Sequence, residues 1–314
     1  MLHDLLFSFN MCLPIFALLG LGCFLRYKGL FTQAFLDGLS ALVYNVLLPA
    51  NLFLDIAAID LQQAFAPRYA LATVLCLLAQ FALAWVAGNL LCPDRRKQSA
   101  FTHGSFRGNF AYVGLPLLQN IYNTTAIPSV AMVMAVVLPM YAVQGVVLLR
   151  IKERTGRLQP LRILWDVVKN PMILGILAGL PFALFHIPLP AAIGKSLGLL
   201  QSACSPMALL VVGGSIQFAA IQGDLPLLLK ACGLKLVAVP ALWFAVAVVM
   251  GLSAEQTVTM TMLAAMPSAV NSFIVTKKLG GDGDTASGIV VLTHALSLLS
   301  LTAVIFLLKS GGWI

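Results

Sequence analysis

Ten apolar runs, each about as long as a membrane-spanning helix, follow one another along the chain with short polar breaks between them. They fall at residues 6–25, 36–56, 69–92, 99–121, 128–149, 167–185, 191–218, 226–250, 257–276 and 286–308. A transmembrane α-helix needs about 20 apolar residues to cross the hydrocarbon core. The period-2 alternation of outer-membrane barrel strands is absent, which favours helices. The pattern therefore predicts an all-α polytopic membrane protein with ten transmembrane helices, which we call spans 1 to 10.

The composition agrees with this class and excludes others. Charged residues make up only 10% of the chain, hydrophobic residues make up 60%, and the mean hydropathy is +0.96. Soluble domains carry about 25% charged residues. A soluble enzyme, a disordered chain and a nucleic-acid binder are therefore excluded, although the net charge is +8. We expect the lipid bilayer as a partner and no nucleic acid.

The basic residues predict how the chain is oriented. With ten spans both termini lie on one side, and most of the 19 Lys and Arg residues fall in or next to the loops of the other side. Those residues are Arg26, Lys28, Arg95, Arg96, Lys97, Arg107, Arg150, Lys152, Arg154, Arg157, Arg162, Lys169, Lys230, Lys277 and Lys278. Because cytoplasmic loops carry the excess of Lys and Arg, we predict a protein of the inner (plasma) membrane with both termini on the non-cytoplasmic side.

A sparse internal repeat divides the chain into two halves. Three pairs of residues share one offset of 157 positions: Pro14 with Pro171, Gly22 with Gly179, and Pro49 with Pro206. Chance alignment among the 16 prolines is the alternative explanation. A unit of five spans enters the membrane from opposite faces in its two copies, which is the inverted repeat common in secondary transporters. We therefore predict a first repeat over residues 1–155 and a second, inverted repeat over residues 156–314.

Spans 4 and 9 each carry a proline near mid-span, with an asparagine four residues later. The pairs are Pro116 with Asn120 and Pro267 with Asn271. Proline removes a backbone N–H and displaces a carbonyl one turn earlier. Irregular backbone at membrane depth is tolerated only where protein or a water-filled cavity covers it. Two interrupted helices in corresponding positions indicate a transporter's substrate site, and the free N–H groups at half-helix N-termini suit a carboxylate.

The same segments resemble the auxin efflux carrier family, within the wider bile acid/sodium symporter-like group. The residues that carry the resemblance are Arg107-Gly108-Asn109, Gly114-Leu115-Pro116-Leu117, Met266 to Ser272, Leu234-Lys235-Leu236 with Pro240, and Asp284 to Ser300. The resemblance implies a scaffold of spans 1, 2, 6 and 7. It also implies a mobile core of spans 3–5 and 8–10, in which spans 4 and 9 cross as broken helices and which moves like an elevator.

The resemblance also bears on substrate and partners. Bacterial members include carriers associated with malonate, malate and similar organic anions, and dimerisation is implied as well. Span 3 has no acidic residue, so the coupling ion stays open between H⁺ and Na⁺. The six cysteines are scattered without metal-ligand spacing, and we expect no cofactor and no metal.

Polar residues near the predicted breaks are the candidates for substrate binding. They are Asn45, Asn109, Tyr112, Pro116, Gln119, Asn120, Gln144, Pro267, Ser268, Asn271 and Ser272. The asparagine amides either bind a carboxylate or cap broken helix ends, and these roles do not exclude each other. For the hydroxyl residues the alternative is a hydrogen bond between helices that holds an interface together.

Lys235, His294 and Arg107 are ionisable residues that lie inside predicted spans. Lys235 lies near the middle of span 8, where a cation costs about 2.5–3.5 kcal/mol, so it either compensates an anion or tethers two parts of the core. His294 in span 10 either takes part in proton coupling or is a satisfied interior donor. Arg107, about two turns into span 4 from the cytoplasmic side, either draws anions to the inner mouth or extends its head towards water.

A polytopic membrane protein of this composition has three classes of function open to it. A secondary carrier for small organic anions fits the paired broken helices, the repeat and the few polar groups at mid-membrane. A channel for organic anions would need a repeated filter segment or a ring of identical subunits. A uniporter, which moves the anion without a coupling ion, stays open as an alternative. An intramembrane enzyme would need a set such as HExxH or GxSxG, which the sequence lacks, so we predict that the protein is not an enzyme.

Overall fold

The computed structural model describes residues 2–58, 66–122, 128–152, 165, 168–215 and 218–314. The described chain is helical. Its α-helices are α1 (Leu2–Tyr27), α2 (Gln33–Leu42), α3 (Leu48–Ala57), α4 (Pro67–Leu91), α5 (Arg95–Phe106), α6 (Leu115–Tyr122), α7 (Pro128–Lys152), α8 (Pro171–Phe185), α9 (Ala191–Ser215), α10 (Phe218–Gly233), α11 (Val239–Val249), α12 (Ala254–Ala264), α13 (Val270–Lys278) and α14 (Gly283–Ser310). Most of the polar linker predicted after residue 150 lies outside the described residues.

Each predicted span coincides with a helical segment of the described chain. Six of these segments are long and apolar enough to cross a membrane by length and composition: Gln33–Ala57, Pro67–Leu91, Met132–Lys152, Ala191–Ser215, Asp224–Val249 and Gly283–Ser310. Span 6 begins only at Pro171, where the Asn170 side chain accepts from Met172 N and caps the helix. The structure thus supports an integral, multi-pass helical protein.

Three prolines follow π-helical turns, which contain one extra residue per turn. The turns span Val43–Leu47, Phe110–Gly114 and Leu234–Ala238, and each ends two residues before a proline: Pro49, Pro116 and Pro240. A proline has no N–H to donate and crowds the carbonyl four residues earlier, so a widened turn before it lets the helix continue. Turns of this kind occur often at functional sites.

One group of helices packs through close glycine contacts. Helix α1 packs mainly against α9, and α8 packs mainly against α3. Gly22 of α1 faces the Leu210 carbonyl and Gly179 of α8 faces the Phe53 carbonyl, each so closely that a Cβ would lie within 2.6 Å of that oxygen. Small residues let helix backbones approach in this way. Gly22 and Gly179 are one of the residue pairs from which the sequence predicted a repeat.

The second group contains α4 to α7 and α10 to α14. It encloses most of the buried polar side chains. At one end Lys97 of α5 pairs with Asp224 of α10, with 2.6 Å between Nζ and Oδ2. This hydrogen bond raises the pKa of Lys97 above its ordinary value.

Large apolar side chains cover much of the outer surface. Leu90 is 77% exposed and Val249 is 85% exposed, and Leu13, Leu78 and Leu299 are exposed as well. Soluble monomers rarely present apolar surface on this scale. The helices are therefore suited to contact with lipid on their outer faces.

Candidate functional site

The interruptions of spans 4 and 9 meet inside the second group of helices. Helix α5 ends at Phe106 and α12 ends at Ala264, and each of these helices is followed by a short non-helical segment. The two segments run antiparallel: Asn109 N donates to Pro267 O over 2.8 Å, and Ala269 N donates to Arg107 O over 2.9 Å. Gly108 and Ser268 lie opposite each other as a single β-bridge. We call Arg107–Asn109 and Pro267–Ala269 together the crossing.

The break in span 4 lies at Gly108 and not at Pro116, where the sequence had predicted it. Pro116 stands in the first turn of α6, directly after a π-helical turn that accommodates it. At Gly108 a Cβ would overlap the ring of Phe110 and lie 3.4 Å from the Nζ of Lys235. The absence of a side chain therefore permits the Phe110 ring and the Lys235 ammonium group to lie close to the backbone of the crossing. Pro267, in contrast, lies within the break of span 9, as predicted.

Asn109 and His294 form a polar pair at the crossing, and both are buried. The Asn109 Nδ2 lies 3.5 Å from His294 Nε2, and His294 Nδ1 lies 2.8 Å from the Val290 carbonyl. A carbonyl only accepts, so Nδ1 carries the proton and Nε2 is left to accept from the amide. In this arrangement the imidazole is neutral and its tautomer is determined by its neighbours.

The two predicted serines of span 9 bond to backbone carbonyls. Ser268 Oγ donates to the Gly104 carbonyl of α5, and its N–H donates to Thr293 Oγ1 of α14 over 3.1 Å. Ser272 Oγ donates to Ala269 O over 2.7 Å, within the first turn of its own helix. Ser268 thus joins three elements at the crossing, and Ser272 stabilises the start of α13.

Lys235 lies in the third π-helical turn and is fully buried. Its Nζ donates to the carbonyl of Ala264, the last residue of α12, over 2.6 Å. The carbonyl end of a helix carries partial negative charge and attracts cations. Lys235 therefore ties span 8 to the end of the interrupted helix of span 9.

Arg107 does not extend towards water, since it is only 6% exposed. Its Nη1 lies 3.4 Å from His103 Nε2, and its guanidinium carbon lies 5.9 Å from the centre of the Tyr141 ring. His103 Nδ1 lies 2.9 Å from Thr276 Oγ1 of α13. Sequence reasoning had not selected His103, because a lone histidine near a helix end carries no signal of its own.

A buried hydrogen-bond network supports the crossing from behind. Gly108 N donates to the Tyr141 hydroxyl over 3.3 Å, and this hydroxyl donates to the Phe106 carbonyl over 3.2 Å. The Gln80 amide donates to the same hydroxyl, while its oxygen accepts from Trp243 Nε1 over 2.8 Å. Sequence reasoning missed these residues. The only available signal was a polar Gln80 within the apolar run of span 3.

The other predicted residues fall into two sets. Gln144 donates to Leu77 O over 3.0 Å, which joins α7 to α4, and its Oε1 has no partner among the described residues. Asn45 lies in the first π-helical turn and is exposed. Asn271 lies in the first turn of α13, and its Oδ1 has no partner in the described chain. For the remaining four only the backbone is described, in the second π-helical turn and in α6: Tyr112, Pro116, Gln119 and Asn120.

The charge at the crossing is positive. Two buried cations, Arg107 and Lys235, lie there, and in the described part of the chain neither has a carboxylate at salt-bridge distance. Helix α13 begins at Val270 without a side-chain cap, so the positive end of its dipole faces the crossing. Within the described residues no cluster of His, Cys, Asp or Glu is able to hold a metal ion. The arrangement suits a small anion.

The fold and the crossing define a class, that of polytopic membrane proteins with a polar centre inside the helix bundle. Residues 7–305 match the family model for "Membrane transport protein". The chain therefore belongs to this family, that of the auxin efflux carriers, as its motifs had indicated.

Two relatives match along nearly their whole length. An "Uncharacterized transporter" of Methanothermobacter thermautotrophicus is 23% identical over 294 residues, covering 92% of this chain and 94% of the relative. A protein named "Putative malonate transporter" of Rhizobium meliloti is 23% identical over 319 residues, covering 96% of both chains. The family and these relatives identify a membrane transport protein and not an enzyme.

Proposed function

We propose that the protein is a secondary carrier that moves small organic anions, such as malonate, malate or other carboxylates, across the inner (plasma) membrane. The observation that carries this proposal is the antiparallel pairing of two helix interruptions through Gly108 and Ser268. Interrupted helices of this kind form the substrate sites of many secondary transporters. The positive charge around the pairing favours an anion, and the relative named for malonate supports a carboxylate.

We further propose that the chain consists of two inverted repeats, residues 1–155 and 156–314, with ten spans. The packing supports this division. Helix α1 of span 1 packs against α9 of span 7, and α8 of span 6 packs against α3 of span 2. These are the two most extensive helix contacts among the described residues. Exchanging the two halves of the chain turns one of these contacts into the other. The same exchange relates the close approaches at Gly22 and Gly179.

Transport would follow an elevator mechanism. In this proposal spans 1, 2, 6 and 7 form a scaffold, and spans 3–5 with 8–10 form the mobile core that carries the crossing. A cavity of about 320 Å³ lies where the two groups meet, lined among others by Arg26 and Ser215 from the scaffold and by Phe273 and Lys277 from the core. Alternating access requires an interface of this kind, at which one bundle shifts against the other.

The substrate would be bound at the crossing. We assign binding to Asn109, Asn271 and the side chains near them, and charge compensation to Lys235. The predicted residues Tyr112, Gln119 and Asn120 follow the break of span 4 and would line the same space. Coupling to H⁺ or Na⁺, a homodimer, and termini on the non-cytoplasmic side complete the proposal.

Uptake into liposomes tests this function. Purified protein reconstituted into liposomes should take up labelled malonate or malate with a rate that saturates, and empty liposomes serve as the control. Asn109→Ala and Asn271→Ala should lower uptake while the reconstituted amount stays equal. A rate that rises linearly with concentration would indicate a channel, and full uptake by both variants would refute the site assignment.

A further inference from the structure

Arg107 is a buried cation without a compensating carboxylate. It is 6% exposed, and its described polar neighbours are a neutral imidazole and the ring of Tyr141. An uncompensated buried charge is costly, and an opposite charge bound beside it during function would offset that cost. Lys235 differs because its Nζ already donates to Ala264 O.

The Arg107 guanidinium is held in place by histidine. An arginine only donates, so His103 Nε2 must accept, and its Nδ1–H must donate to Thr276 Oγ1 at 2.9 Å. His103 is therefore neutral and anchored to α13. Gly145 of α7 leaves space for this pair: a Cβ there would lie 3.0 Å from His103 Nε2 and 3.5 Å from Arg107 Nη1. Residues of three helices thus define the position of the guanidinium.

The backbone of Arg107 forms part of the crossing. Its carbonyl accepts from Ala269 N, next to the uncapped start of α13. Its guanidinium carbon lies 5.9 Å from the centre of the Tyr141 ring of α7. The guanidinium therefore lies next to the place where the proposed substrate would bind.

We propose that Arg107 is the residue that takes a carboxylate group of the transported anion, in a bidentate pair, and that His103 is its positioning residue. This inference rests on the proposed carrier function. The planar guanidinium presents parallel N–H donors that match the two oxygens of a carboxylate, whereas an ammonium group does not. A carboxylate there would compensate the buried charge that the described protein leaves unpaired.

Binding of malonate to the purified protein tests the role of Arg107. Hydrogen bonds to charged groups predict that Arg107→Met weakens malonate binding by at least about tenfold, and Arg107→Lys should bind more weakly than the wild type because it lacks the fork. Arg68→Met, which removes an exposed arginine, should leave binding unchanged. The unfolding temperature of each variant shows that it is folded. Unchanged malonate affinity in Arg107→Met would overturn the proposal and make Arg107 a structural residue.

The role of His103 is tested by kinetics in liposomes. His103→Ala should raise the KM for malonate several-fold with little change in the maximal rate, and His103→Gln, which retains an acceptor, should restore much of the affinity. An unchanged KM in His103→Ala would overturn the positioning role.

The experiments distinguish a failure of the proposed carrier function from a failure of the role assigned to Arg107. If the wild type binds and transports none of malonate, malate and succinate, the carrier function itself is refuted. If it transports malonate and Arg107→Met does so with the same KM, only the assignment of the carboxylate to Arg107 is refuted.

Discussion

The Nζ of Lys235 donates a hydrogen bond to the carbonyl oxygen of Ala264, and so a side chain of span 8 holds the end of the broken helix in span 9. The sequence leaves two roles open for this lysine, a tether between two parts of the core and a charge that compensates an anion. The contact is that of a tether, and the positive charge remains next to Gly108. Both roles are therefore compatible with the one position.

Replacing this lysine should destabilise the protein. Lys235→Met leaves the Ala264 carbonyl buried without a partner, which costs about 1–3 kcal/mol, and we expect a lower unfolding temperature in detergent. Lys230→Met, an exposed position on the same span, is the matched control and should unfold like the wild type. Equal unfolding temperatures for the two variants would contradict the tether.

A side chain at Gly108 should disturb the packing around the crossing. In Gly108→Ala the new Cβ would overlap the ring of Phe110, so this ring must leave its place against Tyr141 and Trp243. We expect malonate uptake to fall at least about tenfold, because small displacements at a binding site are costly. The control is Gly233→Ala, where a Cβ meets nothing within 4 Å. Comparable uptake by the two variants would show that the crossing tolerates a side chain at position 108.

The sequence predicted the helices well because the evidence for each span is local. An apolar run of the required length predicts a span without reference to its neighbours. The runs coincide with helical segments of the described chain, and six of these segments are long and apolar enough to cross a membrane. The break in span 4 was misplaced for an equally local reason. Proline is the stronger sequence signal, yet the helix continues through the π-helical turn before Pro116, and the interruption lies at Gly108, which pairs with Ser268.

The supporting network could not be predicted, because its partners are distant in sequence. Gln80 bonds to Tyr141, 61 positions away, and to Trp243, 163 positions away. No spacing rule relates such residues before the helices are packed. Asn109 and Ser268, in contrast, lie within the motifs of the two interrupted helices, which is why the sequence indicated them.

The response of uptake to pH should depend on His294. In neutral His294 the Nε2 atom accepts a hydrogen bond from the amide of Asn109. A proton on Nε2 would place two N–H groups against each other. If protons are the coupling ions and His294 carries them, wild-type malonate uptake should vary with pH, and His294→Ala should flatten that profile. Asn109→Ala removes the same bond from the other side and should lower uptake while keeping the pH dependence. A wild-type profile retained in His294→Ala would exclude the imidazole from coupling.

The ion pair between Lys277 and Asp37 should act on the elevator movement. Its atoms lie 2.9 Å apart and connect α13 of the core with α2 of the scaffold. Exposed ion pairs are worth about 0–1 kcal/mol. Asp37→Asn should therefore shift the equilibrium between the two positions of the mobile core by up to about fivefold. Ser215→Cys, at the cavity between the groups, reports this balance. The side-chain oxygen of Ser215 is buried in this arrangement, so labelling of the cysteine by a maleimide should quicken in the Asp37→Asn background, in which the core leaves this arrangement more often. Asp224→Asn breaks the Lys97 pair within the core and should leave the labelling rate unchanged, because both partners move together. Equal effects of the two substitutions would contradict a core that moves as one body against the scaffold.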